Sequence, residues 1–248
     1  MRDAVLATLI NLEFTAKDAV KAVQRRDVII VIDVIRCCST IITALANGAK
    51  SVIPTKNVRE ARMLHKEHPE FVLAGERGGL KPRGFDLGNS PREFSSNVIG
   101  GRNIILTTTS GTKAIIGSKN ARWVLIGALL NAEATAKTAL KIAAKEKTGI
   151  SLVLSGRGGH FSLEDFLCAG AITETLPIDK AEHSDATLTA LLAFQQARES
   201  LTKVIQEGYH AQYLKRMGFE EDVELCSKMN ILGIVPFLKG ERIVPLVP

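Results

Sequence analysis

Three observations predict an α/β protein. Short β-branched runs alternate with helix-patterned segments through most of the chain. The run VIIVID at 28–33 is apolar on successive residues, as in a strand covered by helices on both faces. Four of the expected strands end in polar stretches, three of them containing glycine. The expectation is a layered α/β/α fold with a largely parallel or mixed sheet, one compact unit over 1–248. A weak echo between VIDVIRCCSTIITALANGA and VLSGRGGHFSLEDFLCAGA adds the expectation of two similar halves from an internal duplication, meeting near 120–150.

In chain order, strands are expected near 28–33, 51–54 (SVIP), 70–74 (EFVLA), 103–108 (NIILTT), 122–127 (RWVLIG) and 150–155 (ISLVLS), with weaker ones near 4–10 and 231–235. Helices fit between them at 16–26, 38–47, 57–67, 111–118 and 130–146. After residue 160 the pattern turns helical, through LEDFLCAGAITETL, ATLTALLAFQQARESLTKVI and Tyr209 to Met229, before two short terminal strands. The long polar stretch LAGERGGLKPRGFDLGNSPREF at 73–94 is expected to be ordered, because Phe85, Leu87 and Phe94 can anchor it and a connector could be far shorter.

Composition excludes more than it assigns. Hydrophobic residues make up 46% of the 248, enough for a real core, and no apolar run approaches the roughly 20 residues that span a bilayer. Asp3 and Glu13 interrupt what would be a signal sequence, which points to the cytoplasm. The cysteines at 37, 38, 168 and 226 lack CxxC spacing, so reduced thiols are expected and a zinc site is not. A formal charge of +6 is dispersed and aromatic residues are only 5%, which argues against nucleic acid and leaves a small anionic ligand or no particular partner. The oligomeric state is open, a homodimer being one reading.

In open parallel sheets ligands sit beyond the carboxyl ends of strands. There this sequence places Asp33 with Arg36, Glu76 with Arg77, TTTSGTK at 107–113, and SGRGG at 155–159. Asp33 breaks an apolar strand, where an unpaired carboxylate is costly, so it is either paired, with Arg36 for instance, or part of a site. TTTSGTK can be a helix cap or an anion cradle. Glu164 and Asp165 can serve a helix dipole or a metal. No GxGxxG and no GxxxxGK[ST] occurs, and SGRGGH can be a plain turn. No cysteine is followed six places later by arginine, and Ile35 stands where an aspartyl-phosphate phosphatase would carry a second aspartate. If the chain is a phosphatase, what remains is attack by water assisted by a hard cation on oxygen ligands.

GERGG, GFDLGNSP, TTTSGT and EDFLCAGA, in this order after DVIRCCSTI, closely resemble the 2-phosphosulfolactate phosphatases, from about Val28 to the final strands. That family more often has alanine and threonine at the positions of Cys37 and Cys38, and asparagine at Ser110. The resemblance implies a Mg²⁺-dependent phosphate monoester hydrolase acting on (2R)-2-phospho-3-sulfolactate on the way to coenzyme M. On that reading Asp33, Glu76 and Asp86 are the catalytic and metal-binding carboxylates, with Glu164 and Asp165 as the second-choice metal pair. Arg36, Arg77, Lys113 and Arg157, with Asn89, Ser110, Gly111, Thr112, Gly158 and Gly159, are expected to bind a small substrate carrying roughly four negative charges. The rival reading is a non-catalytic anion- or nucleotide-binding regulator on the same sheet. A phosphatase of another phosphorylated hydroxy acid is a further alternative.

Overall fold

The protein is described here from a computed structural model covering residues 9–246. The chain runs β1 (Leu9–Glu13), α1 (Ala19–Arg25), β2 (Val28–Ile32), α2 (Cys37–Ala46), β3 (Ser51–Thr55), α3 (Val58–Glu67), β4 (Val72–Gly75), α4 (Ser96–Ile99), β5 (Asn103–Thr107), α5 (Gly111–Gly117), β6 (Val124–Gly127), α6 (Ala132–Glu146) and β7 (Ile150–Leu154). It continues through α7 (Leu163–Thr175), β8 (Glu182–His183), α8 (Asp185–Ala197), α9 (Leu201–Glu207), α10 (Tyr209–Arg216), α11 (Glu220–Cys226), β9 (Pro236–Lys239) and β10 (Arg242–Pro245).

The strands form one mixed sheet in the order β4-β5-β3-β10-β9-β6-β2-β7-β1-β8. It consists of two parallel blocks, β4-β5-β3 and β6-β2-β7-β1-β8. Between them lies the β9-β10 hairpin, antiparallel to β6 on one side and to β3 on the other. Three antiparallel steps reverse one block's sense relative to the other. Sheet twist of about 20–25° per step accumulates to roughly 100–125° over the five steps from β5 to β2, which turns the carboxyl ends of the two blocks back toward one another.

Strand alternation sorts the core onto two faces. Val28, Ile30 and Ile32 of β2 pack with residues of α6, α7 and α8, while Ile29 and Val31 pack with α2 and α5. A smaller cluster of Phe71, Phe85, Ala61 and Ile105 holds α3 against the outer block. Phe85 and Phe94 are buried, and the 73–94 stretch is anchored as expected.

Two expected strands differ. Of the one near 4–10, residues 4–8 lie outside the described residues, and the observed strand is Leu9–Glu13. Residues 231–235 are irregular, because the amides of Asn230 and Leu232 donate to Leu129 and Leu130 at the entry to α6, and pairing begins only at Pro236. No helix among the described residues is long and apolar enough to cross a membrane.

Candidate active site

The loops after β2, β4, β5 and β7 meet over one cavity of about 390 Å³, with α7 and α10 closing its side. Its floor is a pair of buried carboxylates. Asp33 follows β2, and its Oδ1 accepts the amide of Cys37 at 3.0 Å. Asp165 sits in the first turn of α7, which Ser162 caps, and its Oδ1 accepts the amide of Val34 at 2.8 Å. Ser155, at the end of β7, lies between them, with Oγ 2.8 Å from Asp33 Oδ2 and 3.2 Å from Asp165 Oδ2. Burial raises the Asp33 carboxyl above the ordinary carboxylate range, opposed by the Ser155 and Cys37 hydrogen bonds. Burial raises Asp165 well above it, and the Asp33 charge adds to the effect. A hydroxyl has one proton, so Ser155 donates to one of the two carboxylates at a time.

The glycine of TTTSGTK is required by this floor. A Cβ at Gly111 would lie 2.4 Å from Cys37 Cβ and 2.5 Å from Asp33 Oδ2, so only glycine lets the start of α5 approach so closely. The hydroxyls of the stretch are spent within the fold. Thr108 and Thr112 cap each other's amides at 3.1 and 3.0 Å, and Thr107 is bonded to Arg77 and to the backbone of Thr55. Thr108, Thr109 and Ser110 line the cavity, and Ser110 Oγ accepts the amide of Gly158 at 3.2 Å. Gly111, Thr112 and the exposed Lys113 are not among its lining residues, so the expected anion cradle is not assembled there.

Other expected residues divide in the same way. Glu76 reaches the cavity, but its oxygens already accept the amides of Thr109 and Gly79 at 2.6 and 2.8 Å and the Thr109 hydroxyl, so it ties two loops together. Asp86 is exposed, and its Oδ2 accepts the Leu73 amide at 2.8 Å, which makes it a strand cap outside the cavity. Arg77 turns back to Glu76 O and Thr107 Oγ1. Arg36 lines the cavity but is fully buried against Asp222 at 2.7 Å, Gly79 O and the Phe219 ring. Arg157, Gly158 and Asn89 line the cavity, whereas Gly159 does not. Glu164 is buried with Oε1 3.1 Å from His210 Nδ1.

His160, His210, Tyr213 and Asp222 were not singled out by sequence reasoning. His210, Tyr213 and Asp222 come from the C-terminal helices, and no local spacing reveals which strand ends those helices cover. One signal was available: RGG occurs at 77–79 and again at 157–159. Each copy forms the same turn, with Arg77 paired to Leu80 and Arg157 to His160 through reciprocal backbone bonds. Both glycine pairs have positive φ, +58° and +83° in the first turn and +59° and +89° in the second.

Among the described residues no three His, Cys, Asp or Glu side chains form a group that could hold a metal by themselves. The expected Asp33, Glu76 and Asp86 trio is therefore not assembled. The donors present nevertheless suit Mg²⁺, which retains waters and is commonly held by one or two carboxylates together with substrate phosphate. Among the described residues Asp33 and Asp165 have no cationic partner within salt-bridge distance. Asn89 Oδ1, on a residue lining the same cavity, is a buried acceptor without a donor among the described residues. The thiols are poor nucleophiles: burial pushes Cys37, Cys38 and Cys168 well up, and Cys226 up to about 12.

The family model described as 2-phosphosulpholactate phosphatase matches residues 14–241. The chain belongs to that family. A Clostridium acetobutylicum protein named "Probable 2-phosphosulfolactate phosphatase" is 37% identical over 236 residues, 94% of this chain and 98% of its own length. Proteins of the same name from Carboxydothermus hydrogenoformans and Thermotoga petrophila are each 40% identical, over 84% of this chain and 84% and 88% of theirs. The motifs that carry the family resemblance supply the cavity directly, DVIRC giving Asp33 and Cys37, GNSP giving Asn89, and EDF giving Glu164 and Asp165.

Proposed function

We propose that the chain is a Mg²⁺-dependent 2-phosphosulfolactate phosphatase that converts (2R)-2-phospho-3-sulfolactate and water to 3-sulfolactate and phosphate. The observation that carries this reading is the Asp33–Ser155–Asp165 array on the floor of a cavity that also holds an arginine. Family membership supports the substrate. Two buried carboxylates would repel a phosphorylated acid unless a cation stood between them, which speaks for an enzyme over a plain anion-binding protein.

Asp33 and Asp165, with Asn89 Oδ1, are the residues that would hold Mg²⁺. When bound, the ion would neutralise charge on the phosphoryl oxygens and lower the pKa of a bound water. The protein's own part follows from its geometry. Amides of Cys37 and Val34 fix the two carboxylates, so their oxygens need not reorganise during reaction. Ser155 links them as a path for the proton leaving the attacking water, and a raised carboxyl is a better proton acceptor near neutral pH than an ordinary one. The water oxygen bonds to phosphorus, the bond to the C2 oxygen breaks, and that oxygen takes up a proton as the hydroxy acid leaves. The four buried, unpaired cysteines fit a reducing compartment, which supports a cytoplasmic reaction, and the product would serve coenzyme M formation.

The test is phosphate release from 2-phospho-3-sulfolactate, with and without Mg²⁺, by wild type and Asp33→Asn. Release that needs Mg²⁺ and falls on the order of 100-fold or more in the variant is expected. A folded Asp33→Asn protein with the wild-type rate would overturn the assignment.

A further inference from the structure

The two RGG turns match in backbone but not in the use of their arginines. In the first, Arg77 is locked into the fold by Glu76 O and Thr107 Oγ1. In the second, the Arg157 guanidinium lies over the rings of Tyr209 at 4.4 Å and Tyr213 at 5.2 Å, both from α10. Tyr213 is itself fixed, its hydroxyl donating to Gly78 O in the first turn at 3.0 Å. Among the described residues no carboxylate lies within salt-bridge distance of Arg157, although Glu164, Asp165 and Asp33 line the same cavity. Arg36, the other arginine there, is neutralised by Asp222.

Arg157 also forms part of the wall of a second cavity of about 310 Å³, which shares His160, Glu164 and His210 with the first. Its remaining lining includes Phe161 and Tyr209, which are 52% and 69% exposed, and Leu163. An unneutralised guanidinium stacked on aromatic faces keeps its edge N–H groups for an oxyanion. Apolar surface beside it suits a short carbon chain.

We propose that this second cavity is a sulfonate subsite, with Arg157 as the binding residue and Tyr209 and Tyr213 as positioning residues. The inference rests on the phosphatase reading of the first cavity. The phosphate, doubly charged and a strong ligand for a hard cation, goes to the carboxylate floor. A sulfonate has one charge, weakly basic oxygens and no need of a metal, and one planar guanidinium meets it.

Two measurements test this. The first is the ratio of kcat/KM for 2-phospho-3-sulfolactate to that for 2-phospholactate. Arg157→Lys and Tyr209→Ala should each lower it about tenfold or more, mainly through KM for the sulfonated substrate, because a charged hydrogen bond of this kind is worth at least that factor. Tyr209→Phe, which keeps the ring face, should retain it. An unchanged ratio in Arg157→Lys and Tyr209→Ala, whether both substrates slow together or neither does, would overturn the subsite. The second measurement uses ethanesulfonate as the probe. It should raise the wild-type Tm and fail to raise that of Arg157→Lys, and no rise in wild type would count against the proposal. Wild type that releases phosphate from neither ester, yet is still stabilised by ethanesulfonate through Arg157, would sink the phosphatase reading and leave the anion subsite standing.

Discussion

Removal of Asp222 gives the sharpest measure of how the cavity is held together. Arg36 and Asp222 are 3% and 2% exposed, and their 2.7 Å ion pair joins the loop after β2 to α11, some 186 residues later. In Asp222→Ala the guanidinium keeps Gly79 O and the Phe219 ring but loses the counter-charge of Asp222, and Ser90 loses its acceptor. Breaking one side of a buried pair costs about 3–5 kcal/mol, and each kcal/mol lowers Tm by about 2–4 °C in a chain of this size, so the expected fall is roughly 6–20 °C. Differential scanning calorimetry of wild type, Asp222→Leu, Arg36→Met and the double variant Arg36→Met/Asp222→Leu completes a cycle, with Asp222→Ala measured beside it. The double variant should regain most of the loss, because a packed apolar pair replaces a buried ion pair at little net cost. An Asp222→Ala protein within about 3 °C of wild type would show that water reaches Arg36, and that the pair does not couple the C-terminal helices to the site.

The raised carboxyls predict a sign for pH. Folded protein holds protons on Asp33 and Asp165 that the unfolded chain releases near the ordinary value of 3.8, so their contribution to stability falls as pH rises from there through the raised native values. Urea titrations of metal-free protein should show Asp165→Asn losing less stability than wild type between pH 4 and pH 7 (about a carboxylate's range upward), and parallel curves would refute it. Gly111→Ala forces a methyl against Cys37 and Asp33 and should cost about 1–3 kcal/mol while displacing the Asp33 carboxylate; a variant with native stability and rate would show that α5 shifts freely.

Much of the fold was legible because most strands of the parallel blocks carry their own apolar run, and the runs ending in Asp33 and Ser155 could be read from neighbours in sequence, whereas β8, only Glu182–His183, has none and was not foreseen. The middle of the sheet was not. FLK and RIV at 237–239 and 242–244 are short, half-buried and remote from their partners, so nothing local shows that they separate two blocks of opposite sense. In the site, Asp33, Asp165, Asn89 and Arg157 were marked by type and position, with Asp86 in the first choice for the metal and Asp165 in the second. Asp86 looked equivalent to Asp165 in sequence, and only the fold shows one capping a strand at the surface and the other buried 3.2 Å from Ser155. Arg36 was read as a substrate contact because its partner Asp222 lies far along the chain.

The hairpin at 236–245 leaves the ribosome after every other strand described here, yet it lies mid-sheet, with no residue on the cavity. Until it emerges, the two blocks have no strand to join them, and the carboxylate of one half cannot be held against the glycine of the other. Closure of the sheet thus waits for this hairpin, and a nascent chain stalled before residue 236 would display two unclosed sheet edges for chaperones to cover.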